Sequence, residues 1–134
     1  MIDAIILHEE TPEVIDEFVR FYKKYLHYNP EAMVVETNGL GLGILQMLKR
    51  RKVPAVELVK SVNKLAFAQT GISKMRQGRI YLPKEHREWK PKIVNQLFVW
   101  TGDEDEPDDI VDMVSAAAEY IDWSKYDRDW ETPV

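Results

Sequence analysis

The sequence predicts an α/β domain, a sheet flanked by helices, and three stretches carry that expectation. The first is Met33-Val34-Val35-Glu36. Its apolar, partly β-branched body suits a pleated surface, and Asn38-Gly39 ends it because both residues tolerate positive φ. The second begins at Thr11-Pro12, a helix start with the proline at the first helical position. Ile15, Phe18, Val19, Tyr22 and Leu26 follow at spacings of three and four, and Asn29-Pro30 closes the segment. The third is Ile2 to Leu7, with Ile5-Ile6-Leu7 as its apolar body, which reads as a strand. Strand, helix and strand in that order predict a right-handed crossover between parallel strands.

Beyond Glu36, Gly39, Gly41 and Gly43 lead into a helix with Ile44, Leu45 and Leu48, ending at Lys49-Arg50-Arg51-Lys52. A glycine-rich turn between strand and helix invites a dinucleotide reading, but that fingerprint needs glycine at position 44, where Ile44 stands. The glycines instead let the helix start close to the sheet. Val53 to Val59 is a weaker strand, interrupted by Pro54 and Glu57. A helical stretch with Leu65, Phe67, Ile72 and Met75 contains Gly71 in its middle. Gly78 to Pro83 reads as a short strand between turns. A helix from about Glu88 to Val99 turns Trp89, Ile93, Leu97 and Trp100 to one side, and Thr101 to Asp105 forms an acidic loop. The last helix, from about Asp108 to Ile121, is expected to face inward through Ile110, Val114, Ala117 and Ile121. Residues 1–122 form the expected domain, and 123–134 a polar tail with Trp123, Tyr126 and Trp130.

Length and composition narrow the possibilities. A chain of 134 residues, 45% hydrophobic and 31% charged, is globular and long enough for a core. Without cysteine there are no disulfides and no thiolate metal sites. No apolar run approaches the ~20 residues of a membrane span, and Met1-Ile2-Asp3 does not begin a signal peptide. The expected setting is the cytoplasm. The net charge of −5 conceals segregation: residues 1–48 carry 3 basic and 8 acidic side chains, residues 49–92 carry 13 and 3, and residues 93–134 carry 2 and 12. A basic middle can meet phosphate although the whole is acidic, and it can equally be a face that neutralises its neighbours.

Carboxylates carry the chemistry. Glu36 sits at the carboxyl end of a strand, where open α/β sheets keep their ligand sites. Asp108, Asp109 and Asp112 lie three and four apart, within the first turn of the last helix. Acidic residues there also favour the helix dipole, which is the plain structural explanation. With Glu36 added, the set supplies hard oxygen ligands from separate elements, as Mg²⁺ or Mn²⁺ requires. His8, His27 and His86 are scattered and read as surface residues.

The motifs in order resemble one family. Glu36-Thr-Asn38-Gly39-Leu-Gly41, then Asn63-Lys64, Gly78 to Pro83, a Trp89-containing helix and Asp108-Asp109-Ile-Val-Asp112 look like the nuclease domain of phage terminase large subunits, over about residues 30–121. The resemblance implies an RNase H-like fold and a two-metal endonuclease that cuts concatemeric double-stranded DNA during genome packaging. It implies Glu36 and Asp109 as catalytic residues, and Glu36, Asp108, Asp109 and Asp112 as the metal set for Mg²⁺ or Mn²⁺. Lys64 matches a lysine of the pattern, although Phe67 replaces the arginine that would follow it. Lys64, Lys49, Arg50 and Arg51 are the expected DNA-binding residues. Implied partners are a terminase ATPase domain, the small subunit or the portal, in a phage-infected or lysogenic host and without a membrane.

The opening departs from the family pattern, in which an earlier strand supplies another aspartate. Three explanations stand open: a fragment of a longer protein, a shortened and inactive relative, or Ile2–Leu7 in the central place with Asp3 standing in. An N-terminally truncated or rearranged sheet would leave unpaired edges, from which oligomerisation is expected. Two other functions remain beside the endonuclease: a non-catalytic DNA-binding or packaging module, and a Holliday-junction resolvase-like nuclease.

Overall fold

A computed structural model of the chain describes residues 1–8, 11–37, 39–59, 63–103 and 105–121. Asn38 and the expected tail at 123–134 lie outside the described residues. The architecture is α/β, in two compact units: Met1–Asn63 with Leu82–Lys90, and Lys64–Tyr81 with Pro91–Val134. No described helix is long and apolar enough to cross a membrane.

In the first unit, α1 (Thr11–Lys24) begins where Thr-Pro predicts, and a 3₁₀ turn at Leu26–Tyr28 follows it. Ile15 and Val19 are buried, with Phe18 and Tyr22 packed beside them, whereas Leu26 has left the helix and is exposed. Strand β1 (Met33–Glu36) pairs in parallel with β2 (Ala55–Leu58), Met33 opposite Ala55 and Glu36 opposite Leu58. Helix α2 (Gly41–Arg50) is the crossover between them. Its buried positions, Gly41, Leu45 and Leu48, with Ile44 packed against the same core, form one stripe at helical spacing.

Two backbone details fix that crossover. A Cβ on Gly41 would stand 1.8 Å from the Glu36 carbonyl oxygen, so the first turn of α2 lies directly against the end of β1. At the other end, Lys52 adopts φ 60°. Its N–H donates to the Lys49 carbonyl at 3.0 Å, and the Val53 N–H donates to the Leu48 carbonyl at 3.1 Å. This is a Schellman ending, with Val53 buried as its apolar contact and a lysine where glycine is usual.

The second unit packs α3 (Lys64–Arg76) on α5 (Asp109–Tyr120), with α4 (Lys90–Val99) supplying buried Ile93. Gly71 is the point of closest approach: its Cβ would lie 3.0 Å from Ser115 Oγ and 3.2 Å from Ser115 Cα. The Ser115 hydroxyl donates to the Val111 carbonyl at 2.7 Å, so the one buried polar side chain in the described core is satisfied.

Four expectations need correction. Ile2–Leu7 forms no strand, and Ile2, Ile5 and Ile6 are exposed. The Asp3 carboxylate accepts the Ala4 N–H at 2.9 Å, the Lys24 ammonium at 2.9 Å and the Tyr25 hydroxyl, which ties this segment to the end of α1 and spends a ladder donor. Asp3 therefore does not enter on a central strand. The parallel crossover is β1–α2–β2, so Met33–Glu36 opens the strand-helix-strand unit instead of closing it. Gly78–Pro83 is not a strand either: Gly78 (φ 68°) ends α3 in a second Schellman turn, and the Arg79 N–H donates to the Lys74 carbonyl at 3.0 Å. The buried face of α5 is Ile110, Val111, Val114, Ser115 and Ala118, with Ala117 and Ile121 outside. Alanine gave no apolar contrast along Ala116-Ala117-Ala118, and Ser115 sits inside because Gly71 leaves room for it.

Gly41→Ala should destabilise the protein by about 1–3 kcal/mol in urea unfolding, because the added methyl meets backbone rather than a movable side chain. Lys52→Gly should stabilise it by about 0.5–1 kcal/mol in the same measurement, relieving the left-handed lysine.

Candidate functional site

In the first unit the carboxyl ends of β1 and β2 lie side by side. Half-buried Glu36 is the last residue of β1, and the next residue, Thr37, continues the pairing through its N–H to the Leu58 carbonyl at 3.2 Å. The Thr37 hydroxyl donates to Glu57 Oε1 at 2.7 Å. Glu57, absent from the expected site set, is thus a second carboxylate at this sheet end, and its pairing with a residue just past the strand left no sequence signal. Lys49, Arg50 and Arg51 are exposed at the far end of α2, where cations complement the helix dipole. Arg51 Nη1 contacts Asp16 Oδ1 at 2.8 Å with both side chains about half exposed, a surface pair of little energetic weight.

Asp3 is anchored rather than open. Burial pushes its carboxyl up, but hydrogen bonds from Tyr25, Lys24 and the Ala4 N–H outweigh that and hold its pKa at about 2.

The second unit gathers the aspartates at the start of α5. Asp108 is the N-cap residue, and its carbonyl accepts the Asp112 N–H at 2.8 Å. Its carboxylate, however, makes no capping hydrogen bond. Oδ2 faces the Lys64 ammonium at 2.9 Å, with the two side chains 26% and 23% exposed. Lys64 also reaches the Asp103 carbonyl at 3.4 Å. The capping duty has passed to α4: Gln96 Oε1 accepts the Ile110 N–H at 2.7 Å. Asp109 is exposed, while Asp112 is half-buried with its Oδ1 inside.

Nearby, Glu106 accepts the Thr101 N–H at 2.7 Å and the Thr101 hydroxyl at 3.0 Å, which closes the acidic loop. The backbone N–H of Thr101 is the leading reason that the Glu106 carboxyl lies below its ordinary pKa. A cleft of 260 Å³ lined by Lys92, Gln96, Trp100 and Glu106, among others, runs beside this loop.

Of the expected site residues, the structure brings Lys64 and Asp108 into contact, and places Asp109 and Asp112 on the adjoining turn. Among the described residues, no three carboxylate or imidazole groups are gathered in a way that would hold a metal ion. The candidates are all carboxylates, the donor type that hard divalent cations take, and the Asp108 carboxylate is engaged by the Lys64 ammonium instead of by its own helix. Gln96 escaped sequence reasoning, because a glutamine that caps a different helix leaves no local pattern.

Gln96→Leu should strip the Ile110 N–H of its acceptor and cost about 1–2 kcal/mol. Amide exchange at Ile110 should quicken, and an unchanged rate would show that Gln96 does not hold this helix end.

The chain matches a family model, that of the terminase RNaseH-like domain, over residues 8–120. No curated protein and no solved structure matches it significantly. The matched region holds Glu36, Lys64 and all three aspartates, and the chain belongs to the terminase RNaseH-like domain family, a nuclease-type module.

Proposed function

We propose that this chain is a metal-dependent DNA endonuclease module that cuts concatemeric double-stranded DNA during genome packaging. The observation that carries the reading is Asp108: an N-cap aspartate turned away from its helix and toward a cation, with Gln96 taking its place as cap. A carboxylate released from a structural duty in this way is available as a ligand. Glu36, at the carboxyl end of β1, is the acidic group of the first unit in the same role.

In this reading Glu36 and Asp109 are the catalytic carboxylates, and Glu36, Asp108, Asp109 and Asp112 hold Mg²⁺ or Mn²⁺. The bound ions would supply Lewis acidity for phosphodiester hydrolysis. Asp109 is exposed and can meet substrate directly, whereas Asp112, with one oxygen inside, steadies the group from behind. Lys49, Arg50 and Arg51 form a cationic helix end for the DNA backbone, and Lys64 adds a cation beside the acids. Residues 1–122 make up the working domain. Its partners are a terminase ATPase domain, the small subunit or the portal, in the cytoplasm of an infected or lysogenic host.

Plasmid nicking in Mn²⁺ tests the proposal. Wild-type protein should nick, and Glu36→Ala and Asp109→Ala should each lower the rate by about a hundredfold or more. Nicking indifferent to both changes would overturn the site. Salt-sensitive DNA binding through Lys49–Lys52 with no nicking would favour a DNA-binding module instead.

A further inference from the structure

We infer that the aromatic cluster at the end of α1, built from Tyr25, His27 and Tyr28, is a stacking platform for the unpaired bases of single-stranded nucleic acid. The inference stands on this cluster and goes beyond the nuclease reading, since it involves none of the acidic groups proposed there to hold metal.

The cluster is built in layers. Phe21, on α1, meets the Tyr25 ring edge-on, with centroids 5.3 Å apart and planes at 68°. The Tyr25 hydroxyl donates to Asp3, which also accepts the Lys24 ammonium at 2.9 Å, so half-buried Tyr25 is held at both its ring and its tip. His27 and Tyr28 stand outside it. Their ring centroids are 4.3 Å apart, they lie 6.3 Å and 6.1 Å from that of Tyr25, and the three planes are tilted by only 29° to 41° from one another. The backbone beneath is fixed as well. The Tyr28 N–H donates to the Tyr25 carbonyl at 3.0 Å, and Asn29, left-handed at φ 53°, donates its N–H to the Leu26 carbonyl at 2.9 Å. Yet Tyr28 is 60% exposed, and His27 is exposed beside it. Rings ordered this closely and left in water mark a contact surface.

Charge decides the occupant. From Phe18 to Pro30 the chain carries Arg20, Lys23 and Lys24 and no carboxylate. Two of these cations meet acids from outside the stretch, Arg20 with Glu17 and Lys24 with Asp3, but their side chains remain 70% and 62% exposed and keep donors for further acceptors. The Lys24 ammonium also lies 5.2 Å from the centre of the Tyr25 ring. Lysine is depleted at the centres of protein interfaces. Cations beside near-parallel rings are instead what a single strand requires, ammonium groups for its phosphates and π faces for its bases. A duplex keeps its base faces stacked on one another, so the rings select the unpaired strand.

Fluorescence anisotropy of the full chain with a labelled oligothymidylate of about twelve nucleotides tests this, in EDTA so that no strand is cut. A strand of the same length and charge without bases is the comparison. Wild type should bind the thymidylate about tenfold more tightly than the abasic strand. Tyr28→Ala and Tyr28→Leu should each remove about that factor and leave abasic binding unchanged, whereas Tyr28→Trp should keep it. Tyr81→Ala, at another exposed ring, should change neither affinity. Equal affinity of wild type for the two strands, or binding of neither, would overturn the inference and assign the rings to a protein partner. Thymidylate binding by Tyr28→Leu as tight as wild type would also overturn it, because apolar bulk would then suffice. So would a loss in Tyr81→Ala as large as that in Tyr28→Ala. Urea unfolding of each variant identifies any that fails to fold; should Tyr28→Ala fail, the leucine and tryptophan variants decide. Plasmid nicking keeps the two readings apart. A protein that nicks but binds both strands alike retains the nuclease reading and loses this one, and a protein that prefers bases but never nicks does the reverse.

Discussion

Where β1 passes into α2, two stretches of backbone come closer than any side chain would allow. Gly41 makes this possible, and the architecture of the first unit follows from it. With the helix start pressed against the Glu36 carbonyl, α2 lies over the sheet at a fixed height, and Leu45 and Leu48 reach the core shared with Ile15, Val19 and Val53. The same closeness sets the direction in which β2 returns, and so the parallel register that lays the ends of both strands together. Glu36 thus lies where a missing methyl group lets the helix meet the strand.

A comparable economy governs the second unit. Gly71 lets α3 and α5 approach until Ser115 fits between them, and a serine there is tolerable because its hydroxyl bonds back to Val111. The polar end of α5 is then assembled from three helices, not one. Lys64 comes from α3, Gln96 from α4 and the aspartates from α5 itself. Buried packing in the middle of the helices thus fixes a set of charged groups at their ends, which is how a small core can give exact placement to exposed side chains.

Much of this was legible in the residues. The periodicity of α1 and α2, the break at Gly39 and the grouping of acids at Asp108–Asp112 each express a local rule, and local rules leave local patterns. The motif order pointed to the family that the chain was found to match. What escaped reading was tertiary. Ile2–Leu7 carries the composition of a strand, but Asp3 is drawn to Lys24 and Tyr25, more than twenty residues away. Gly78 suits the start of a strand in sequence but ends a helix in the fold, because a left-handed residue is equally at home in both settings. Glu36 and Asp108 were visible as candidates, whereas the groups that orient them, the bare Cα of Gly41 and the amide of Gln96, show their roles only in three dimensions.

The division of labour at the start of α5 has a wider consequence. Helix integrity there rests on a neutral amide, while the neighbouring carboxylate meets a cation from another helix, so the two can be altered independently. Deleting the acid at 108 leaves the Gln96 cap on the Ile110 N–H in place, and what such a deletion removes is a partner of Lys64. A carboxylate that usually fastens its own helix end here ties that end to a neighbouring helix.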